Sequence, residues 1–150
     1  MRLTSPAFAD GGSMPPRYTC DGENISPPLT VSDVPFGTKS LVLIMEDPDV
    51  PKTIRPDGMW DHWIVFNVPP EMIFLTEGTN PTGVLGKNTG GNLSYGGPCP
   101  PDREHRYFFK LSALDSQLNL PAGSSKKDVE DTMQGHVIES VQLLGKYKRP

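Results

Sequence analysis

The chain has 150 residues, which suits one folded domain, and 35% of them are hydrophobic. A formal net charge of -4 and an isoelectric point near 5.3 argue against a broad surface for nucleic acid or anionic membranes. The sequence shows neither the apolar core of a signal peptide nor the ~18 apolar residues of a membrane span. We therefore expect a single domain, residues 1–150, located in the cytoplasm without membrane insertion.

The predicted elements are mainly strands. In chain order, weak strand-like runs at residues 2–8 and 29–32 predict edge strands, whereas β-branched and aromatic runs predict four core strands at residues 40–46, 62–68, 105–114 and 137–147. The first core strand is apolar throughout its centre, which is typical of a strand covered on both faces. Because strands and helices do not alternate, we expect antiparallel pairing.

One helix and one long loop complete the prediction. The helix is expected at residues 126–134, with Ser125 as N-cap, Asp128 in a position that resembles a capping box, and Gly135 as the C-terminal stop. Residues 76–104 lack secondary-structure periodicity, and loops of this length in a small domain are usually functional or disordered. Tyr95 and the Gly-Pro-rich run that follows it favour an ordered loop.

Two carboxylates follow the first core strand directly. Asp47 and Asp49 lie two positions apart, and the prolines at 48 and 51 keep this segment extended and stiff. In an extended chain their side chains point to the same side, so both are candidates for a binding site. The alternative interpretation is an Asx-type turn, in which the carboxylates only accept hydrogen bonds from backbone N–H groups.

Histidines and aromatic residues stand at the entrances of two other strands. Trp60 and His62 open the second core strand, and His105 and Tyr107 open the third on one face of it. Each histidine alone is more often structural. Together with the backbone N–H groups of the Gly-rich loop before His105, however, these groups favour a concavity that binds an oxyanion.

The order of these motifs resembles one family. D-P-D-x-P at residues 47–51, H-W at 62–63, Y-G-G-P-C-P-P at 95–101 and H-R-Y at 105–107 are similar to the signature of the phosphatidylethanolamine-binding protein (PEBP) family, in particular its bacterial and archaeal Raf-kinase-inhibitor-like (YbhB/YbcL) branch. The resemblance implies a mainly-β, Greek-key antiparallel β-sandwich with one or two short helices. It also implies a pocket for phosphate-like anions or the phosphoethanolamine headgroup of a phospholipid.

The resemblance also assigns the pocket. The positions that match the pocket residues of the family are Asp47, Asp49, Pro51, Trp60, His62, Gly97, His105 and Tyr107. It implies a homodimeric binding protein that is not an enzyme and has no cofactor, and some members of the family inhibit kinases or proteases through surface contacts. Asp–His pairs would raise the imidazole pKa, so we expect anion affinity to increase as the pH falls through the histidine pKa values.

Two other site chemistries remain open. Cys99, His105 and Asp47 are candidates for a nucleophilic hydrolase site, because a thiolate beside an imidazole is an activated thiol. The two histidines and two aspartates are candidates for a divalent-metal site, most naturally zinc. Cys20 and Cys99 show no paired spacing, and without a signal peptide we expect both to be reduced thiols.

Overall fold

Two β-sheets and one α-helix form the structure, a computed structural model that describes all 150 residues. In chain order the strands are β1 (Arg2–Thr4), β2 (Gly12–Ser13), β3 (Leu29–Ser32), β4 (Ser40–Asp47), β5 (Trp60–Val68), β6 (Phe74–Leu75), β7 (Val84–Leu85), β8 (His105–Leu114) and β9 (Val137–Tyr147). A 3₁₀ helix spans Pro16–Tyr18, and α1 spans Lys126–Met133. One sheet has the order β1-β3-β6 and the other β2-β9-β8-β4-β5-β7.

Strand pairing is antiparallel except between β2 and β9, which are parallel. The chain leaves β5 through a long connection and returns as β8 beside β4, the kind of return that Greek-key folds use. The predicted mainly-β antiparallel sandwich is therefore confirmed.

The central strand β4 is buried on both faces, as its apolar sequence predicts. Leu41, Leu43 and Met45 belong to the larger core, which includes β3 of the smaller sheet, whereas Val42 and Ile44 belong to a second core. Alternate side chains of a strand point to opposite faces, so each face of β4 meets its own apolar layer. The second layer includes Val129 and Met133 of α1.

The helix begins and ends where the sequence predicts, within one residue. The Ser125 hydroxyl oxygen accepts a hydrogen bond from the Asp128 N–H at 3.1 Å, which is the predicted N-cap contact. The helix ends at Met133 rather than residue 134, and Gly135 follows with φ of +83°. No helix is long and apolar enough to cross a membrane.

Several boundaries differ from the prediction. β4 extends to Asp47 and β5 starts at Trp60, so these two core strands are longer at the end where the polar candidates lie. The first weak run forms a strand over only three residues. The two-residue strands β2, β6 and β7 are too short to show periodicity, which is why they were not predicted.

A cluster of four charged residues joins α1 to the sheet. The Lys126 ammonium lies 2.9 Å from Glu46 Oε2 and 2.7 Å from Asp61 Oδ1, and Lys110 contacts the other oxygen of Glu46. Glu46 is only 4% exposed. Burial raises its pKa, but the hydrogen bonds from the two lysines outweigh burial and hold the pKa below its ordinary value. We call these residues the charge cluster.

Candidate functional site

A cavity of about 310 Å³ lies at the edge of the six-stranded sheet where β4 ends and β5 and β8 begin. Antiparallel pairing brings these three strand termini together, and the loop before β8 closes one side. The lining residues are Asp47, Val50, Ile54, Trp60, His62, Gly97, Cys99, Pro100, Pro101, His105 and Tyr107. Six of the eight predicted site residues are therefore in the lining, whereas Asp49 and Pro51 are not.

Asp49 lies on the other face of β8. Its carboxylate accepts two hydrogen bonds from the Arg106 guanidinium, at 2.9 and 3.0 Å, and one from the Arg106 backbone N–H at 2.9 Å. These bonds from Arg106 lower the pKa of Asp49. The prediction that Asp47 and Asp49 share one side is wrong, because the chain turns between them: Asp47 Oδ1 accepts from the Asp49 N–H at 2.7 Å, the Asx-type turn of the alternative interpretation.

His105 is held between two carboxylates. Its Nδ1 lies 2.7 Å from Asp47 Oδ2 and its Nε2 lies 2.6 Å from Asp102 Oδ1. A neutral imidazole has one N–H, so two such contacts require a doubly protonated ring or one protonated carboxyl group. The hydrogen bond from His105 lowers the pKa of Asp102. The predicted Asp–His pair is present at Asp47, but Asp102 contacts the second ring nitrogen, Nε2, so neither nitrogen is free to bond a ligand.

His62 is held by a backbone carbonyl group, whereas His105 is held by two carboxylates. Its Nδ1 lies 2.6 Å from the Gly96 carbonyl oxygen, so Nδ1 donates the proton and Nε2 makes no hydrogen bond within the protein. Burial is the largest effect on this ring, and it lowers the pKa below 6.5. The expectation of a raised pKa is therefore wrong for His62, because burial outweighs the charge of Asp47.

Tyr107 carries a hydrogen-bonding group without a partner. The side chain is fully buried, its ring packs edge-on to His62 with centroids 5.3 Å apart, and its hydroxyl makes no hydrogen bond. Burial, followed by the nearby carboxylate of Asp47, raises the pKa of Tyr107, so the hydroxyl keeps its proton at neutral pH. A buried, unpaired donor that lines a cavity is a position for a ligand acceptor.

The cavity wall contains a disulfide. Cys20 and Cys99 are joined, with Cα atoms 5.4 Å apart, and the chain has no free cysteine. The expectation of two reduced thiols is therefore wrong, because the fold brings together two segments that sequence spacing does not relate. The disulfide also removes the Cys99 thiolate on which the nucleophilic hydrolase hypothesis depended.

The rest of the lining includes a glycine, apolar residues and no basic side chain. A side chain at Gly97 would place its Cβ 2.6 Å from the Tyr18 carbonyl oxygen, so the loop requires glycine to pack there. No Lys or Arg side chain is in the lining, and no set of three His, Cys, Asp or Glu residues is positioned to hold a metal ion. The lining residues Val50, Ile54, Pro100 and Pro101 were not predicted, although they stand in or beside the motifs that carried the prediction.

Comparison with known sequences gives matches over the whole chain. The model of the phosphatidylethanolamine-binding protein family matches residues 4–148. A UPF0098 protein of Chlamydia pneumoniae is 50% identical over 149 residues, which cover 99% of this chain and 99% of that protein. A UPF0098 protein of Methanothermobacter thermautotrophicus is also 50% identical, over 155 residues and 99% of each chain.

Two crystal structures share the fold. CT736 from Chlamydia trachomatis, described as a PEBP homologue, is 49% identical and superposes with a TM-score of 0.96 over 99% of this chain and 97% of that one. E. coli YbcL, described as a new member of the mammalian PEBP family, is 32% identical with a TM-score of 0.88, over 99% of this chain and 98% of YbcL.

Proposed function

Because this chain belongs to the phosphatidylethanolamine-binding protein family, we propose that it is a binding protein whose cavity holds a phosphate-like anion, free or as the phosphoethanolamine headgroup of a phospholipid. The observation that carries this proposal is the buried Tyr107 hydroxyl without a partner in the cavity lining. A phosphate oxygen supplies the acceptor that this hydroxyl lacks, and a hydrogen bond to a charged acceptor is worth about 1.5–3 kcal/mol.

The charges and protonation states in the cavity restrict which anion it can bind. Neutral His62 presents an Nε2 that accepts a hydrogen bond, so it favours a phosphate oxygen that still carries a proton. At lower pH the protonated ring becomes a donor and attracts the anion. The carboxylates of Asp47 and Asp102 add negative charge beside the cavity, so they repel a dianion more strongly than a zwitterionic headgroup, whose ammonium group offsets the phosphate charge.

Binding is favoured over hydrolysis at this site. Cys99 is in a disulfide, both nitrogens of His105 are engaged with carboxylates, and no side chain in the lining is placed as an activated nucleophile. We therefore propose that the protein has no enzymatic activity and needs no cofactor. Inhibition of a kinase or protease through surface contacts is a separate proposal, and the cavity does not specify its target.

We also propose that the protein is a homodimer in the cytoplasm. The outer edge of β9 supports the dimer for two reasons. No strand pairs with this edge before Gly145, and the apolar residues Val137 and Ile138 of β9 are 45% and 42% exposed. Light scattering of the purified protein tests the dimer, and cell fractionation tests the location.

The test of the binding proposal is calorimetric titration with inorganic phosphate, O-phosphoethanolamine and ethanolamine. Tyr107→Phe removes one hydroxyl from the lining, and we expect it to weaken binding of both phosphates by about tenfold. Tyr18→Phe removes a hydroxyl that bonds Glu77 outside the cavity, and it serves as the matched control. Tighter binding of O-phosphoethanolamine than of phosphate identifies the headgroup, and equal binding identifies the free anion. Absence of phosphate binding, or equal affinities of the two variants, contradicts the proposal.

A further inference from the structure

The disulfide lies in the wall of the binding cavity. Cys99 is exposed and contributes to the lining, and its partner Cys20 follows the 3₁₀ helix, 79 residues away in sequence. The covalent bond therefore joins the loop that closes the cavity to a separate N-terminal segment.

The part of the loop next to Cys99 has few other attachments. Pro98, Pro100 and Pro101 lack an N–H group, and residues 99–101 take part in no hydrogen bond. The only hydrogen bond of Pro98 is the one its carbonyl accepts from the Cys20 N–H at 3.0 Å. Three consecutive wall residues are thus fixed by the disulfide and by packing alone.

The preceding part of the loop is attached more firmly. The Tyr95 hydroxyl donates to the Tyr18 carbonyl oxygen at 2.7 Å, and the Gly97 N–H donates to Asn24 Oδ1 at 2.9 Å. Gly96 accepts from His62 Nδ1 and donates its N–H to the His62 carbonyl oxygen at 3.0 Å. We therefore expect loss of the disulfide to leave this part in place and to free the segment that follows it.

We propose that the Cys20–Cys99 disulfide is a redox control of the cavity, a proposal that rests on the binding function above. The oxidised protein has a fixed wall and binds the anion. In the reduced protein, residues 99–101 move away from the cavity in a large fraction of molecules and the anion is bound more weakly.

The reaction that switches the state is exchange with a dithiol reductant of the thioredoxin class. One reductant thiolate attacks the sulfur of Cys99, which is an exposed residue, the disulfide breaks, and Cys20 leaves as a thiolate that takes up a proton. The second thiol of the reductant, as its thiolate, attacks the mixed disulfide and releases Cys99. Two electrons pass to the protein, which gains two protons, and the reductant becomes a disulfide. In a cytoplasm that keeps thiols reduced, such an exposed disulfide is of the transient, regulatory kind.

The first test is phosphate titration of the full-length protein, oxidised and after reduction with dithiothreitol, with circular dichroism to establish that both forms are folded. We expect reduction to weaken binding by about tenfold, the result if the wall is in place in roughly a tenth of the reduced molecules. The double variant Cys20→Ser/Cys99→Ser is expected to bind like the reduced protein and to be insensitive to dithiothreitol. Equal affinity of the two redox forms overturns this inference alone, whereas absence of binding by the oxidised form overturns the proposed function.

A second measurement keeps the inference testable if the reduced protein or the double variant unfolds. The disulfide is equilibrated with dithiothreitol buffers at a temperature where the reduced chain is folded, with and without saturating phosphate. Coupling is reciprocal, so phosphate is expected to raise the equilibrium constant for disulfide formation by the same factor of about ten. A disulfide that serves only stability gives no change in this constant, and that result overturns the inference.

Discussion

The charge cluster and the cavity stand on opposite faces of the same two strands. Glu46 and Asp61 point toward α1, and their sequence neighbours Asp47 and His62 point into the cavity. In the cluster each buried charge meets an opposite charge. In the cavity the Tyr107 hydroxyl and His62 Nε2 have no protein partner. Neighbouring polar residues thus separate into a set whose charges pair within the protein and a set that includes two polar groups without a protein partner, which is typical of a binding site.

The largest effect on stability is expected from a substitution that removes an ion pair of the charge cluster. Lys126→Ala removes the ammonium group between two acidic residues, leaving Asp61 without its partner and Glu46 with Lys110 alone. We expect the free energy of unfolding in urea to fall by about 3 kcal/mol, because a buried charge that loses its partner is costly. The affinity for phosphate should not change, since no residue of the cluster is in the lining.

The matched control is Lys127→Ala. This neighbouring lysine is exposed and pairs only with Asp131 one helical turn away, so its removal should change stability little. Equal stability of the two variants would show that the cluster does not stabilise the fold.

The second predicted effect is a loss of stability at low pH that is caused by His62. Burial gives its ring a lower pKa in the folded protein than the ~6.5 of an unfolded chain, so the unfolded state binds more protons in this range. Stability therefore falls as the pH drops below about 6.5 and continues to fall until the lower folded pKa is reached, by at most about 1.4 kcal/mol per pH unit.

Urea unfolding at pH 7.5, 6.5 and 5.5 measures this effect, with His62→Gln as the variant that lacks the titrating ring. We expect the native protein to lose more stability than the variant between pH 6.5 and 5.5. Parallel losses would show that His62 is not the source.

The sequence predicted the bounds of β8 and β9 and came within two residues of those of β4 and β5, because hydrophobic periodicity is local. The same patterns located Trp60, His62, His105 and Tyr107 at strand entrances, and the resemblance to a family brought them into one pocket. The predictions that were wrong concern features that depend on three-dimensional contacts. The Asx-type turn that separates Asp49 from Asp47 accompanies an ion pair between Asp49 and the distant Arg106, and the lowered pKa of His62 follows from burial. The partner of Cys99 lies 79 residues away, so only the fold reveals the disulfide.

The smallest predicted effect is on phosphate affinity, and it concerns Asp102 beside the cavity. Asp102 is the one carboxylate there that contacts the site from a half-exposed position, with Oδ1 2.6 Å from His105 Nε2. This is the position that a ligand oxygen requires if it is to bond the ring. We infer that Asp102 acts as an internal competitor, which the bound anion displaces.

Asp102→Asn removes the competing charge and keeps the shape of the side chain. We expect phosphate to bind about threefold more tightly to this variant at physiological ionic strength, since a half-exposed ion pair is a weak competitor. Asp131→Asn removes one negative charge from the distant surface of α1, and it separates this local effect from the change in net charge. If both variants gain the same affinity, Asp102 acts only through overall charge. If Asp102→Asn alone binds more tightly, the carboxylate competes with the ligand for His105.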